Sequence, residues 1–139
     1  MRPTVENVLF LHTVAIEAFG GSEGVRAPES LRAAVARPWG SSLGQDHFPT
    51  PFDTAAALAE SIIRRHPFVD GNKRTAMYAA AYLLETFGYE LEAEQQDLED
   101  FAVSIAVGGV DTTETSHWFE RHSRKSCNCR IDKTLDGGI

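Results

Sequence analysis

One stretch near the middle of the chain, residues 66–76, combines side chains that could act on a phosphate group. His66 has an imidazole that can take up a proton near neutral pH. Asp70 has a carboxylate of the kind that binds Mg²⁺ together with phosphate oxygens. Lys73 and Arg74 add two consecutive positive charges. A base, a magnesium carboxylate and two cations together indicate chemistry on the phosphates of a nucleotide.

The residues around this stretch predict a short loop between two helices. His66 precedes a proline, which disfavours the α conformation at the residue before it, so a helix should end at His66. Gly71-Asn72 is a turn signal, and the apolar segment from about Lys73 predicts a second helix with Gly88 just after its end. The loop therefore delivers backbone N–H groups at a helix N-terminus, which is a site that attracts anions.

Lys73 and Arg74 oppose an ordinary preference of helices. Cations in the first turn face the positive end of the helix dipole and cost about 0.3–1 kcal/mol each. A bound phosphate would reverse that cost, because it pairs with both side chains and with the free N–H groups. Local rules that are broken in this way tend to mark functional sites.

Residues 66–74, His-Pro-Phe-Val-Asp-Gly-Asn-Lys-Arg, resemble the Fic/Doc motif, in which a histidine, a phenylalanine, an acidic residue, Gly-Asn and an arginine recur in this order. Lys73 replaces the glycine of the Fic adenylyltransferase form, and Met77 replaces its second arginine. Asn-Lys-Arg followed by Thr-Ala is instead similar to the Doc branch, the death-on-curing toxins. The similarity extends over residues 4–123, with further landmarks at Leu11-His12, residues 20–26, residues 36–38 and residues 87–89.

The resemblance implies a Mg·ATP-dependent protein kinase that acts on a Ser or Thr hydroxyl of a translation factor, with elongation factor Tu as the suggested substrate. His66 would take the hydroxyl proton, Asp70 would hold Mg²⁺, and Arg74 would neutralise charge that develops on the phosphates. The implied catalytic residues are His66, Asp70, Lys73 and Arg74. The implied residues of the ATP site are Phe68, Gly71, Asn72, Lys73 and Arg74. Phe68 also fits the role of an apolar anchor under the loop.

The resemblance also implies a partner that inhibits the toxin in trans. In the Doc branch a Phd-like antitoxin places its C-terminal segment in a groove near the active site. The present sequence has no obvious inhibitory helix of its own, so we expect the inhibitor to be a separate chain.

Three other functions stay open at this point. The protein could be a Fic-type protein adenylyltransferase, or a catalytically inactive module that only binds a peptide. A metal hydrolase built from His66, Asp70 and other histidines is less favoured, because Lys73 and Arg74 would repel a dication without phosphate. The P-loop, H-E-x-x-H and G-x-S-x-G motifs are absent from the 139 residues.

Length and composition predict one ordinary globular domain over residues 1–125. The net charge of −7 argues against a broad surface for direct nucleic-acid binding. No apolar run reaches the ~20 residues of a membrane span, and no signal peptide is evident, so we expect a cytoplasmic protein. Residues 126–139, with Cys127 and Cys129, lack periodicity, and we expect a disordered or non-native tail.

The apolar spacing predicts six or more helices and no convincing strand pair, hence an all-α, single-domain helical bundle. Thr4 should cap the first helix, Asp53 or Thr54 the helix before the motif, and Asp111 the last helix, while residues 92–107 form another. The helices on both sides of the motif are apolar nearly all round. We therefore expect a buried central pair that holds the active loop between them.

Three further features are open to two interpretations each. His12 lies on an apolar stripe, where a buried histidine with a neighbouring partner is favoured over a functional one. Arg26 is either a surface charge or a contact to substrate phosphate. Residues 39–52 form a long connection whose extended part, expected at residues 48–52, would bind the target peptide by strand addition or would be an ordered surface loop.

Overall fold

The computed structural model describes residues 2–126. Within this range the chain forms six α-helices and two small antiparallel strand pairs. The helices are α1 (Val5–Phe19), α2 (Pro28–Ala36), α3 (Pro51–Arg65), α4 (Asn72–Thr86), α5 (Gln95–Ala106) and α6 (Thr112–Arg121). The strands are β1 (Ser41–Ser42), β2 (Gln45–Asp46), β3 (Tyr89–Leu91) and β4 (Ser123–Lys125). The predicted all-α class is confirmed, with the strand pairs as an addition that the sequence pattern did not indicate.

The segment after residue 126, with Cys127 and Cys129, lies outside the described residues. Ser126 itself donates its backbone N–H to the carbonyl oxygen of Gly88, 2.8 Å away. None of the helices within residues 2–126 has both the length and the hydropathy that a membrane-spanning helix needs.

Helices α3 and α4 form the centre of the core, as their apolar composition predicts. Every residue from 54 to 63 in α3 is buried, and α3 packs against α2, α4, α5 and α6. Both helices are rich in buried alanines, whose small side chains allow two helix axes to approach closely. These alanines are Ala55, Ala56, Ala57, Ala59, Ala76, Ala79 and Ala80. The two ends of the motif loop are therefore attached to the best-packed pair of helices.

A fully buried carboxylate, that of Glu60, connects α3 to its neighbours. Its Oε1 atom accepts a hydrogen bond of 2.7 Å from the hydroxyl of Thr112 and lies 3.5 Å from Nη1 of Arg37. Thr115 donates to Oε2 across 3.4 Å. Because a buried charge is tolerated only when it is paired and hydrogen-bonded, this network fixes α6 against α3.

Helix α3 begins earlier than the sequence analysis predicted. Pro51 occupies its first position, and the side chain of Thr50 accepts a hydrogen bond from the N–H of Asp53. The carboxylate of Asp53 in turn accepts a hydrogen bond from the N–H of Thr50. Asp53 therefore belongs to a capping box and is not itself the N-cap. The extended part of the preceding connection is therefore not at residues 48–52 but in the β1–β2 hairpin, at residues 41–46.

Helix α5 begins at Gln95 and not at Glu92, because the chain before it is extended. Strand β3 pairs with β4, and the N–H of Glu92 donates to the carbonyl oxygen of His122 across 2.6 Å. This pairing joins positions more than 30 residues apart, a distance at which local helical spacing gives no signal.

Candidate active site

The motif loop reverses the chain between α3 and α4 by means of two left-handed residues. His66 closes α3 with φ 54° and ψ 56°, and Gly71 opens α4 with φ 77°. A side chain at Gly71 would bring its Cβ within 3.1 Å of Cδ1 of Ile16 as well as straining the backbone. The end of α3 and the start of α4 thus face the same cavity.

This cavity, which we call the motif cavity, has a volume of about 260 Å³. It brings together almost the whole predicted set of site residues. Its lining includes His66, Asp70, Gly71, Asn72, Lys73 and Arg74. Residues of α1 complete its wall, among them Ile16 and Phe19.

Phe68 is the exception to the predicted ATP-site residues, because it is fully buried and does not line the cavity. Its ring stacks on that of His12 with centroids 3.9 Å apart and planes within 5° of parallel. Its backbone N–H and C=O both bond to the side-chain amide of Asn72, at 3.0 and 2.9 Å. Phe68 therefore anchors the loop from within the core.

The N-terminus of α4 offers the backbone donors that the sequence predicted. The first N–H groups of a helix have no partner within the helix. The N-cap of α4 is Gly71, and no side chain in the described part of the chain accepts a capping hydrogen bond from the first N–H groups of α4. Both polar atoms of the Asn72 side chain bond to the backbone of Phe68, and its backbone N–H is available to an anion. Lys73 is exposed and Arg74 half-buried beside it.

His12 supports the loop from α1. It is buried, and its Nε2 donates a hydrogen bond of 2.8 Å to the carbonyl oxygen of Asp70. The interpretation as a core histidine satisfied by a neighbour is confirmed. Its stacking on Phe68 and its bond to Asp70 hold two loop residues with one side chain.

Asp70 is held in place by two backbone donors. Its Oδ2 accepts from the N–H of Ser22 at 3.1 Å, and its Oδ1 accepts from the N–H of Gly71 at 2.9 Å. These hydrogen bonds, with a smaller contribution from the charges of His12 and His66, hold the pKa of Asp70 below its usual 3.8. The carboxylate is thus ionised at neutral pH, and each oxygen keeps a lone pair for a cation.

The described residues contain no group of three or more His, Cys, Asp or Glu side chains arranged to hold a metal ion. Asp70 alone can supply a carboxylate in the motif cavity. This arrangement fits Mg²⁺, which commonly takes one or two carboxylates and completes its shell with phosphate oxygens and water.

Arg26 has a role that neither interpretation of the sequence included. Its Nε donates to the carbonyl oxygen of His66 at 2.7 Å, and its Nη2 donates to that of Arg65 at 2.9 Å. These carbonyls lie at the C-terminal end of α3, where a positive charge is favourable. Arg26 therefore fixes the backbone of His66, whose exposed side chain lines the cavity.

Arg26 belongs to a segment, residues 21–27, that we call the strap because it runs along the motif loop. The N–H of Val69 donates to the carbonyl oxygen of Gly24 at 3.0 Å, and the N–H of Arg26 donates to that of Pro67 at 2.7 Å. With the bond from Ser22 to Asp70, the strap holds most of the loop. The sequence analysis missed it, since its only local signals were the glycines and the family landmark at residues 20–26.

Arg74 faces the cavity but already has a partner. Its Nη2 lies 2.6 Å from Oε2 of Glu99 in α5, and its guanidinium carbon lies 3.5 Å from the centre of the Phe19 ring. A second cavity of about 210 Å³ opens between α4 and α5, and Lys73, Arg74 and Glu99 line it. No pattern in the sequence indicated Glu99.

A loop that presents a base, a carboxylate and a helix N-terminus in an all-α bundle is the arrangement that the Fic/Doc resemblance implies. The family model described as the Fic/DOC family matches residues 2–84 of the 139. The chain belongs to this family.

Two relatives place it more closely. The chain is 49% identical over 96 residues to Toxin Doc of Mycolicibacterium smegmatis, an alignment that covers 68% of this chain and 74% of that protein. It is 26% identical over 116 residues to Protein kinase doc of Escherichia phage P1, covering 84% of this chain and 90% of that protein. The similarity to the Doc branch is confirmed.

Proposed function

We propose that this protein is the toxin of a toxin–antitoxin pair and acts as a Mg·ATP-dependent protein Ser/Thr kinase. The observation that carries the proposal is the convergence of His66, Asp70 and the N-terminus of α4 on one cavity. The names of the two relatives, a toxin and a protein kinase, support it.

The residues of the motif cavity fit a magnesium-bound triphosphate. Asp70 is ionised and exposed, and so can bind Mg²⁺. The backbone N–H groups at the start of α4 and the side chain of Lys73 can bind phosphate oxygens. When bound, Mg²⁺ supplies charge neutralisation to the phosphates and helps to align them for transfer.

His66 is the residue that we assign to proton transfer. Its imidazole accepts the proton of the target Ser or Thr hydroxyl while the hydroxyl oxygen bonds to the γ-phosphorus and the bond to the β–γ bridging oxygen breaks. The products are a phosphorylated side chain and ADP. Arg26 holds the backbone of His66, which positions this residue in the wall of the cavity.

Lys73 and Met77 favour transfer of the γ-phosphate over transfer of the adenylyl group. The Fic form has a glycine that leaves space for phosphates, whereas Lys73 fills that space with a four-carbon stem and an ammonium group. The second arginine of the Fic form would clamp a phosphate, whereas Met77 is buried and has only a weakly accepting sulfur. We infer that ATP binds in the reverse sense.

Elongation factor Tu is the substrate that we propose, and the C-terminal segment of a Phd-like antitoxin is the inhibitor. Both proposals come from the resemblance to the Doc branch. The second cavity, between α4 and α5, is a candidate groove for that segment. Apolar residues line it beside Arg74, among them Met77, Leu98 and Ala102.

The identity of the transferred group tests the kinase proposal. Purified protein, elongation factor Tu and Mg²⁺ are incubated with ATP labelled at either the α- or the γ-phosphate. We expect γ-label on the factor and no α-label, and we expect His66→Ala to lower transfer by ~10²–10⁴ with little change in nucleotide affinity. Transfer of α-label would establish adenylylation instead, and nucleotide binding without any transfer would support a binding module.

A pair of variants at Lys73 tests the reason for that choice. Lys73→Gly restores the space of the Fic form and should shift part of the activity towards α-label, incompletely because the second arginine is absent. Lys73→Met keeps the bulk of the stem without the charge and serves as the matched control. A gain of α-label in both variants would show that charge, and not space, decides the orientation.

A further inference from the structure

The guanidinium of Arg74 makes two contacts and leaves one of its nitrogen atoms without a hydrogen-bond partner. Its Nη2 donates to Glu99, its face lies against the ring of Phe19, and its Nη1 is buried with no acceptor among residues 2–126. A buried donor without a partner is a cost to the folded state. The observed position of Arg74 is therefore not one that satisfies the whole side chain.

A phosphate would satisfy Arg74 better than Glu99 does. Phosphate oxygens can accept from both Nη atoms of one guanidinium, whereas Glu99 engages Nη2 alone. Glu99 and a phosphate also differ in their effect on the charge of the site. Glu99 brings a negative charge next to a cavity proposed to hold a polyanion, and it neutralises one of the two cations there.

The ion pair lies where it can control phosphate binding. Arg74 lines both the motif cavity and the cavity between α4 and α5, and Glu99 lines the latter. Gln95, one turn before Glu99, also donates to Oε2 of Glu99 at 3.3 Å, which steadies the carboxylate on α5.

Arg74 can exchange its partner Glu99 for a bound anion at a small cost in free energy. The side chains of Arg74 and Glu99 are 30% and 35% exposed, so water and salt screen their attraction. A multiply charged phosphate chain can compete with a single screened carboxylate.

We propose that Glu99 is a positioning residue that holds Arg74 off the phosphates, so that full phosphate affinity requires Arg74 to leave Glu99. The inference rests on the proposed function for the nature of the ligand, a nucleotide phosphate chain. Glu99 thereby sets the affinity of the site from a neighbouring helix.

Calorimetric titration with inorganic tripolyphosphate measures this effect without any transfer chemistry. We expect Glu99→Gln to bind the probe about threefold to tenfold more tightly than wild type, and Glu99→Ala to change in the same direction. Asp100→Asn is the matched control, because it removes one negative charge from α5 at a residue bonded to Gln96 and not to Arg74. Its affinity should stay within about twofold of wild type.

A double variant decides whether the effect passes through Arg74. In an Arg74→Gln background, Glu99→Gln should leave the affinity unchanged. An equal gain in that background, or in Asp100→Asn, would overturn the proposal in favour of net charge alone. Weaker or unchanged binding by folded Glu99→Gln and Glu99→Ala would overturn it as well, because Glu99 would then orient Arg74 or have no role.

The kinase proposal can fail independently of this one. Transfer of γ-label by wild type tests the kinase, whereas the titrations test only the competition for Arg74. If Glu99→Gln binds tripolyphosphate more tightly but wild type transfers no label, the competition between Glu99 and phosphate for Arg74 is supported and the kinase proposal is contradicted.

Discussion

Asp70 illustrates how a single side chain can hold the loop and remain available to a cation. Its two oxygens each accept one backbone N–H, from Ser22 and Gly71, and these bonds are stronger when the carboxylate is charged. The same bonds that lower its pKa therefore tie the strap to the loop. Protonation of Asp70 would weaken the attachment and the proposed magnesium site together.

This linkage gives a prediction for stability against pH. Because the pKa of Asp70 is lower in the folded protein than its ordinary 3.8, its ionised form stabilises the fold at pH values above 3.8. That contribution is lost as the pH falls through the lowered pKa. We expect Asp70→Asn to have a lower urea midpoint than wild type at pH 6 and the difference to shrink as the pH falls below 3.8.

Urea unfolding followed by circular dichroism at several pH values measures this difference. A gap between the two proteins that stays constant down to pH 2 would show that the carboxylate charge is not what holds the strap. Ser22→Ala keeps the backbone N–H and is the matched control, which should follow wild type at every pH.

At the scale of elements, the strap makes the connection between α1 and α2 a support for the motif loop. It reaches the loop by backbone hydrogen bonds from residues far apart in the sequence, such as Arg26 to Pro67. Such bonds depend little on side-chain identity. These bonds require the backbones of the strap and the loop to lie close together. A glycine is necessary where a side chain would collide with the loop.

Gly21 is the position at which that requirement is most severe. A Cβ there would lie 2.7 Å from Oδ2 of Asp70 and 3.1 Å from Cδ1 of Ile16, on a backbone with φ 119°. We expect Gly21→Ala to displace the carboxylate and raise the Mg²⁺ concentration for half-maximal transfer about tenfold. Gly20→Ala, at φ 85° with no atom within 4 Å of its Cβ, is the control for backbone strain alone.

Magnesium titration of label transfer compares the two variants. If Gly20→Ala and Gly21→Ala raise the magnesium requirement equally, strain and not the contact with Asp70 is responsible. An unchanged requirement in Gly21→Ala would separate the strap from the proposed metal site.

The sequence predicted those elements whose signals are local. Thr4 and Asp111 do cap their helices with reciprocal side-chain bonds. Seven motif residues line the cavity, and all of them except Val69 were predicted as site residues, from the charges and the helix end in the loop and from the resemblance to the Fic/Doc motif.

Long-range contacts account for what the sequence did not predict. The β3–β4 pair, the bonds from Arg26 to α3 and the ion pair between Arg74 and Glu99 each join positions at least 25 residues apart. Residue type alone does not say which partner a charged side chain will find. Phe68 was predicted as an ATP-site residue and as an anchor of the loop, and the structure buries it under the loop. An aromatic residue within a binding motif can take either position, and residue type alone does not distinguish them.

At the scale of the whole molecule, the motif loop is attached to the most deeply buried pair of helices. Helices α3 and α4 are the buried centre, and α1 and the strap close the loop from the other side. The side chain of the proposed base, His66, is exposed in contrast. His66 can therefore be replaced without opening a cavity in the core, which separates loss of activity from loss of folding.

That separation makes growth of a bacterial host a usable measurement. We expect expression of the wild-type chain to arrest growth and His66→Ala, at an equal level of folded protein, to permit it. His117→Ala is the matched control, because His117 is also exposed but lies on α6 and does not line the motif cavity. This variant should arrest growth as wild type does, and co-expression of the cognate antitoxin should restore growth to both. Arrest by His66→Ala as severe as that by wild type would show that toxicity comes from binding and not from proton transfer at His66.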